Sequence, residues 1–201
     1  MMQQAGGMDV NSLIQRLKRL AMLDTTVFDE VKGDTNSTIP AIVVVAVATL
    51  LSGIGGWLWF ISQSYHSKSG EFLLKSAIIG SILSIIVWAI GWLGVTYVML
   101  TQVFRARADV NELIRVMGFA AAPLALTVGM VIPGLNYGIG LAALGLMFGS
   151  TLLAVQSATD APAGKALIAT AAGFAVWVIV VQLFAGSTNT YAPGIFIFAP
   201  R

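Results

Sequence analysis

Between residues 116 and 159 the chain runs for 44 residues without an Asp, Glu, Lys or Arg. As a single helix that stretch would extend about 66 Å, roughly twice the hydrocarbon thickness of a bilayer. It is interrupted once by turn-forming residues, Pro133-Gly134-Leu135-Asn136-Tyr137-Gly138. Two membrane crossings joined as a hairpin fit this pattern, and a water-soluble globule does not. Composition agrees: 57% of residues are hydrophobic and only 10% are charged, against roughly 25% charged in soluble domains.

Three further runs complete the layout. Residues 35–67 carry no Asp, Glu, Lys or Arg, and 39–61 supply the roughly 20 apolar residues of a first crossing. Residues 76–104 form a second, 29 residues long. As helix it measures about 43 Å, so it is expected to tilt or project. Residues 166–185 form the fifth, after Asp160-Ala161-Pro162-Ala163-Gly164-Lys165. Five crossings place the two ends of the chain on opposite sides.

Basic residues gather on the cytoplasmic side of short loops. In this layout one side holds Arg16, Lys18, Arg19, Lys32, Arg105, Arg107, Arg115 and Lys165, eight of the 11 Lys and Arg. The N-terminus is therefore expected to be cytoplasmic and the C-terminus extracytoplasmic. Early polar residues such as Gln3, Gln4, Asp9 and Asn11 argue against a cleaved signal. The expected organisation is a cytoplasmic segment 1–38, a transmembrane domain 39–185 and an extracytoplasmic tail 186–201. Ile195-Phe196-Ile197-Phe198 in that tail is expected to rest on the outer membrane surface or on a partner.

Two short cytoplasmic amphipathic helices are also expected. Val10, Leu13, Ile14, Leu17, Leu20 and Ala21 fall on one side of a helical wheel, with Ser12, Gln15, Arg16 and Arg19 opposite. Such a basic helix anchors to acidic headgroups, caps its own bundle or docks a partner, the first two being favoured. In the second cytoplasmic loop, Asp109 and Glu112 have the spacing of a reciprocal helix cap. Val110, Leu113, Ile114 and Met117 then recur at helical spacing, giving a helix expected to lie along the membrane before the third span. Arg16, Lys18, Arg19, Arg105, Arg107 and Arg115 make up a surface for lipid phosphates or a partner.

Chemistry is scarce. With no Cys and one His there is no thiolate, disulfide or clustered metal site. Neither a catalytic group nor a cofactor is called for. A net charge of +2 without a clustered basic face does not suit nucleic acid. Ion-coupled carriers place ionisable groups inside the membrane, and the five runs contain none. His66 with Glu71 five positions on loosely resembles an acyltransferase pair, but a solvated outer-loop histidine is the ordinary reading. A passive pore would have to use Thr127, Asn136, Ser150, Thr151 and Gln156, residues that more commonly serve as helix-packing hydrogen bonds.

Packing signals are clearer. Gly138, Ala142, Gly145 and Gly149 form a smooth stripe on the fourth span where another helix can approach. A neighbour within the same chain is favoured over a different protein. Trp57 and Trp59 suit the membrane interface, whereas Trp88 and Trp92, deeper in the second span, are expected to pack against another helix rather than a pigment or quinone.

The chain resembles the Yip1 domain family in four places. They are Phe28-Asp29-Glu30-Val31, Arg115-Val116-Met117-Gly118-Phe119-Ala120-Ala121-Ala122-Pro123, the Pro133 hairpin, and Gly164-Lys165-Ala166, a likeness covering residues 13–185. The resemblance implies five transmembrane helices and a cytoplasmic N-terminus. Eukaryotic members are trafficking proteins that associate with small GTPases and with one another. This chain departs from them in its N-terminal segment of 38 residues and its lack of the Asp-Leu-Tyr-Gly-Pro motif. A prokaryotic-type member is implied, with no catalytic residues to carry over.

The resulting expectation is an all-α polytopic protein of a prokaryotic cytoplasmic membrane. It would act without enzymatic chemistry, as an accessory or scaffold subunit that binds lipids, other integral membrane proteins or itself. The alternative is a passive channel or facilitator for a small solute.

Overall fold

A computed structural model describes residues 9–62 and 69–188, and among these every regular element is helical. Helix α1 (Val10–Ala21) starts where the Asp9 carboxylate accepts from the Asn11 amide at 3.0 Å. Its C-terminus closes with two reversed bonds, Leu23 N–H to Leu20 O and Asp24 N–H to Arg19 O, with Leu23 in the left-handed region at φ 63°. That conformation ordinarily selects Gly. The second helix, α2 (Thr26–Gly33), buries Val27, Phe28 and Val31. The sequence pattern marks no helix there.

Five longer helices follow, each long and apolar enough to cross a membrane: α3 (Thr38–Ser62), α4 (Leu74–Val103), α5 (Val110–Val131), α6 (Asn136–Ala158) and α7 (Ala163–Thr188). The protein is an integral membrane protein. The fifth helix passes the expected boundary at 185. His66 and Ile195 to Phe198 lie outside the described residues.

Two spans adjust their length through their backbone. In α4 the turns at Leu74–Ile79, Trp88–Gly94 and Met99–Val103 widen to i→i+5 bonding. Wider turns rise less per residue, which shortens a span that was too long for the bilayer. The opposite happens in α5: an α-helical part, Val110–Ala120, passes into a narrow 3-10 part, Ala122–Val131. At about 2.0 Å per residue the narrow part alone reaches about 20 Å, so 22 residues suffice for the crossing. The switch falls at Pro123, whose ring cannot donate to the ladder and clashes with the carbonyl four residues back.

One expected amphipathic helix is not confirmed as a separate surface element. The helix capped at Asp109, whose carboxylate accepts from the amides of Asn111 at 2.8 Å and Glu112 at 3.0 Å, is not set apart on the surface. It is the first half of the third span. Glu112 and Arg115 therefore belong to a spanning helix, which is not free of ionisable groups as its run from 116 had suggested.

The hairpin after α5 is a tight turn: Leu135 N–H donates to Ile132 O at 3.2 Å, with Pro133 and Gly134 between them. Gly134 has φ 81°, which this type of turn requires at its third position and which only Gly adopts freely. Helix α3 lies centrally, against α4 and α5. Ser76 and Ser81 on α4 donate to the α3 carbonyls of Gly53 at 2.8 Å and Thr49 at 3.0 Å. Between α4 and α7, Trp92 meets Phe174 edge-on at 4.8 Å and Trp177 at 5.7 Å, as expected for a deep packing tryptophan.

Candidate functional site

The chemistry-bearing side chains gather at the end of the bundle that holds α1, α2 and the loops at 104–109 and 159–162. Arg115 is only 6% exposed, and its guanidinium donates through Nε, at 3.0 Å, and through a terminal nitrogen to the Lys32 carbonyl. That carbonyl is at the C-terminal end of α2, where the helix leaves acceptors without partners of its own. Lys32 in turn donates to the Ser157 carbonyl at the end of α6, at 2.8 Å, and to Asp29. The Arg107 amide donates to Asp160 at 2.7 Å, a bridge joins Ala108 to Thr159, and the Lys165 ammonium lies 5.8 Å from the Phe104 ring. Three segments distant in sequence are thus tied at one end, as the shared basic side of the sequence layout requires.

Helix α1 is tied to the same end by ion pairs. Arg16 donates to Asp34 at 3.0 Å and to the Ser37 hydroxyl at 2.7 Å, while Arg19 reaches Asp24 at 2.8 Å and Glu30 at 2.7 Å. The Ser37 hydroxyl, together with Arg16, holds the Asp34 carboxyl below the ordinary carboxylate range, against an opposing effect of burial. Thr26 and Arg19 do the same for Asp24.

These contacts redistribute the six basic residues expected on one lipid or partner surface. Lys18, Arg105 and Arg107 are exposed, with Arg105 in the left-handed region as the chain leaves α4. Arg16 and Arg19 are half-buried in ion pairs. Arg115 is not a surface residue: α2 covers it, and its donors serve the backbone of that helix.

The run from Arg115 to Pro123 gains a physical reading. Arg115 docks α2. Gly118 lets α3 come close, since a Cβ there would stand 2.8 Å from the Ala41 Cβ. Phe119, Ala120, Ala122 and Pro123 form one wall of a cavity of about 560 Å³. The remaining walls come from α1 and Leu23 just after it, from Phe28 of α2, and from α3 and α6, and Ser150 is the one polar residue among them.

The small-residue stripe is a second correction. A Cβ at Gly138, Gly145 or Gly149 would meet nothing within 4 Å, and Ala142 is exposed. Among the described residues no helix packs on this face. The inward face of α6 is instead Gly140, Ala143, Met147, Thr151, Ala154, Val155 and Ala158. Close approach occurs elsewhere: a Cβ on Gly55 of α3 would strike the Thr127 carbonyl and Val128 of α5, and one on Gly173 of α7 would stand 2.5 Å from the Trp92 carbonyl oxygen. Among the candidate pore residues, Thr127 and Thr151 donate to carbonyls of their own helices, Leu124 at 2.6 Å and Met147 at 2.7 Å. Ser76, Ser81 and Thr96, which donate to carbonyls of neighbouring spans, were not singled out by the sequence.

A family model described as the Yip1 domain matches residues 24–186. The match takes in α2 and all five spans and begins after α1. Comparisons with curated proteins and with solved structures give no match.

Proposed function

The chain belongs to the Yip1 domain family, and from that premise we propose that it is a non-enzymatic accessory or scaffold subunit of a prokaryotic cytoplasmic membrane. It holds other integral membrane proteins, or further copies of itself, against its outer helices, with the basic end facing the cytoplasm. The observation that carries this reading is the periphery of the bundle. Spans α6 and α7 bury only 33% and 28% of their most apolar windows, against 56% for α3 and α5. On α6 the outward face is smooth at Gly138, Ala142, Gly145 and Gly149.

In lipid no hydrophobic force drives helices together, so association depends on backbones that approach closely through small residues. Exposed Lys18, Arg105 and Arg107 support contact with anionic headgroups at the same end.

Affinity purification in mild detergent, with mass spectrometry of what stays bound, tests this function. The wild-type chain is expected to retain a defined membrane partner or a second copy. Gly145→Ile is expected to lose it with the melting temperature unchanged, because the new side chain points into open space. A wild-type chain recovered as a partner-free monomer in several detergents would contradict the scaffold role.

A further inference from the structure

We propose that the cavity beneath α1 holds one acyl chain of an anionic phospholipid, drawn from the leaflet at the basic end of the bundle, with α1 lying across it as a lid. Its volume of about 560 Å³ falls within the range of about 300–1,000 Å³ typical of ligand sites. A lining with a single polar residue suits a hydrocarbon occupant and offers almost nothing to a polar one.

Depth and opening identify the source. On α3 the wall runs from Val43 to Leu51, which at 1.5 Å per residue places it about 12–24 Å inward from Thr35, within the hydrocarbon. Val47, Leu126 and Leu146 line the cavity and are also exposed on the outer surface of the bundle. The cavity therefore continues onto the lipid-facing surface, where acyl chains are the surrounding medium.

The lid itself points to the same occupant. Helix α1 turns Leu13, Leu17 and Leu20 toward the cavity, yet none of its residues is fully buried. It is held by ion pairs at Arg16 and Arg19, and its Leu13, Leu17 and Leu20 are only partly buried where they meet the core. An acyl chain along this lining makes dispersion contacts with the α1 leucines and with the walls from α3 and α5. Lys18 is exposed on the same helix, placing a cation beside the headgroup region. A chain that holds this lipid needs no protein partner, so the lipid site and the scaffold role fail separately.

The test uses the full chain in vesicles of equal parts phosphatidylcholine and phosphatidylglycerol, the latter bearing a diazirine on one acyl chain. Photolabelling is expected to concentrate on 13–23, 43–51 and 119–126. Ala125→Phe, which fills the cavity from α5, and Leu17→Phe, which fills it from the lid, are each expected to reduce that labelling to the level on the outer face of α7. Ile90→Phe, at an exposed position of α4 outside the cavity, is expected to leave it unchanged. Lys18→Glu is expected to shift labelling toward a phosphatidylcholine probe.

Circular dichroism melts establish that each variant is folded. The Leu17 variant keeps the test open if the Ala125 variant is not, because α1 contributes no fully buried residue. Labelling spread evenly over the outer faces of the spans, labelling in folded filled variants equal to wild type, or cross-linking of α1 to a second copy in place of lipid would overturn the proposal.

Discussion

At the scale of single residues, the sharpest contrast is between glycines that look alike in sequence. Gly55 and Gly145 both sit in apolar spans. A methyl group on the first would strike the Thr127 carbonyl and stand 2.8 Å from the Val128 Cα, while on the second it would meet nothing within 4 Å. Because backbone cannot swing aside, Gly55→Ala is expected to cost about 1–3 kcal/mol. Gly145→Ala is expected to stay within about 0.5 kcal/mol of wild type. Melts of the two variants in one detergent check this, and equal losses would show that the α3–α5 contact is misplaced.

Acid offers a second residue-scale test. The carboxyls of Asp34 and Asp24 lie below their ordinary range, the first through Ser37 and then Arg16, the second through Thr26 and then Arg19. A depressed carboxyl stabilises the folded form above the unfolded value of about 3.9 and ceases to do so as pH falls through the folded value. Attachment of α1 is thus expected to hold above about pH 4 and weaken below it. Hydrogen exchange in residues 10–21 would report the loosening, and an Asp24→Asn, Asp34→Asn double variant is expected to flatten its pH dependence.

At the scale of elements, α2 shows why a short helix escapes a reading based on long runs. Its eight residues hold Val27, Phe28 and Val31, too few to form a periodic stripe, and its place is fixed by partners far along the chain. Arg115 is 83 positions from the Lys32 carbonyl it serves. Arg115→Met would leave that carbonyl without its donors in a covered site, a loss of about 1–3 kcal/mol. Faster proteolysis within residues 26–33 is expected, with the five spans otherwise intact. Unchanged protection would mean that apolar burial alone holds α2. The expected helix at Asp109 is an instructive partial success: its cap was legible, because capping is local. Its continuation into the membrane was not, since the sequence reading began the span at the first charge-free residue, whereas a folded bundle can cover Arg115 with another helix.

At the scale of the whole molecule, the five crossings were legible because a bilayer imposes one length and one polarity on every span. The lateral arrangement was not. In water an apolar stripe must face inward, but in lipid both sides of a helix are apolar, so the stripe from Gly138 to Gly149 carried no sign of facing outward. The cavity was equally hidden, being a space between five elements that no local pattern records.

The five-crossing layout, with three segments tied at one end, underlies everything else, and the absence of cysteine from the chain makes it directly measurable. Single thiols at Asn11→Cys, Leu135→Cys and Pro162→Cys, probed with an impermeant maleimide on sealed vesicles of known orientation, read the layout one position at a time. Asn11→Cys and Pro162→Cys are expected to react from one side, and Leu135→Cys from the other. Reaction of Leu135→Cys from the same side as Asn11→Cys would contradict the hairpin, the count of crossings and the bundle built on them.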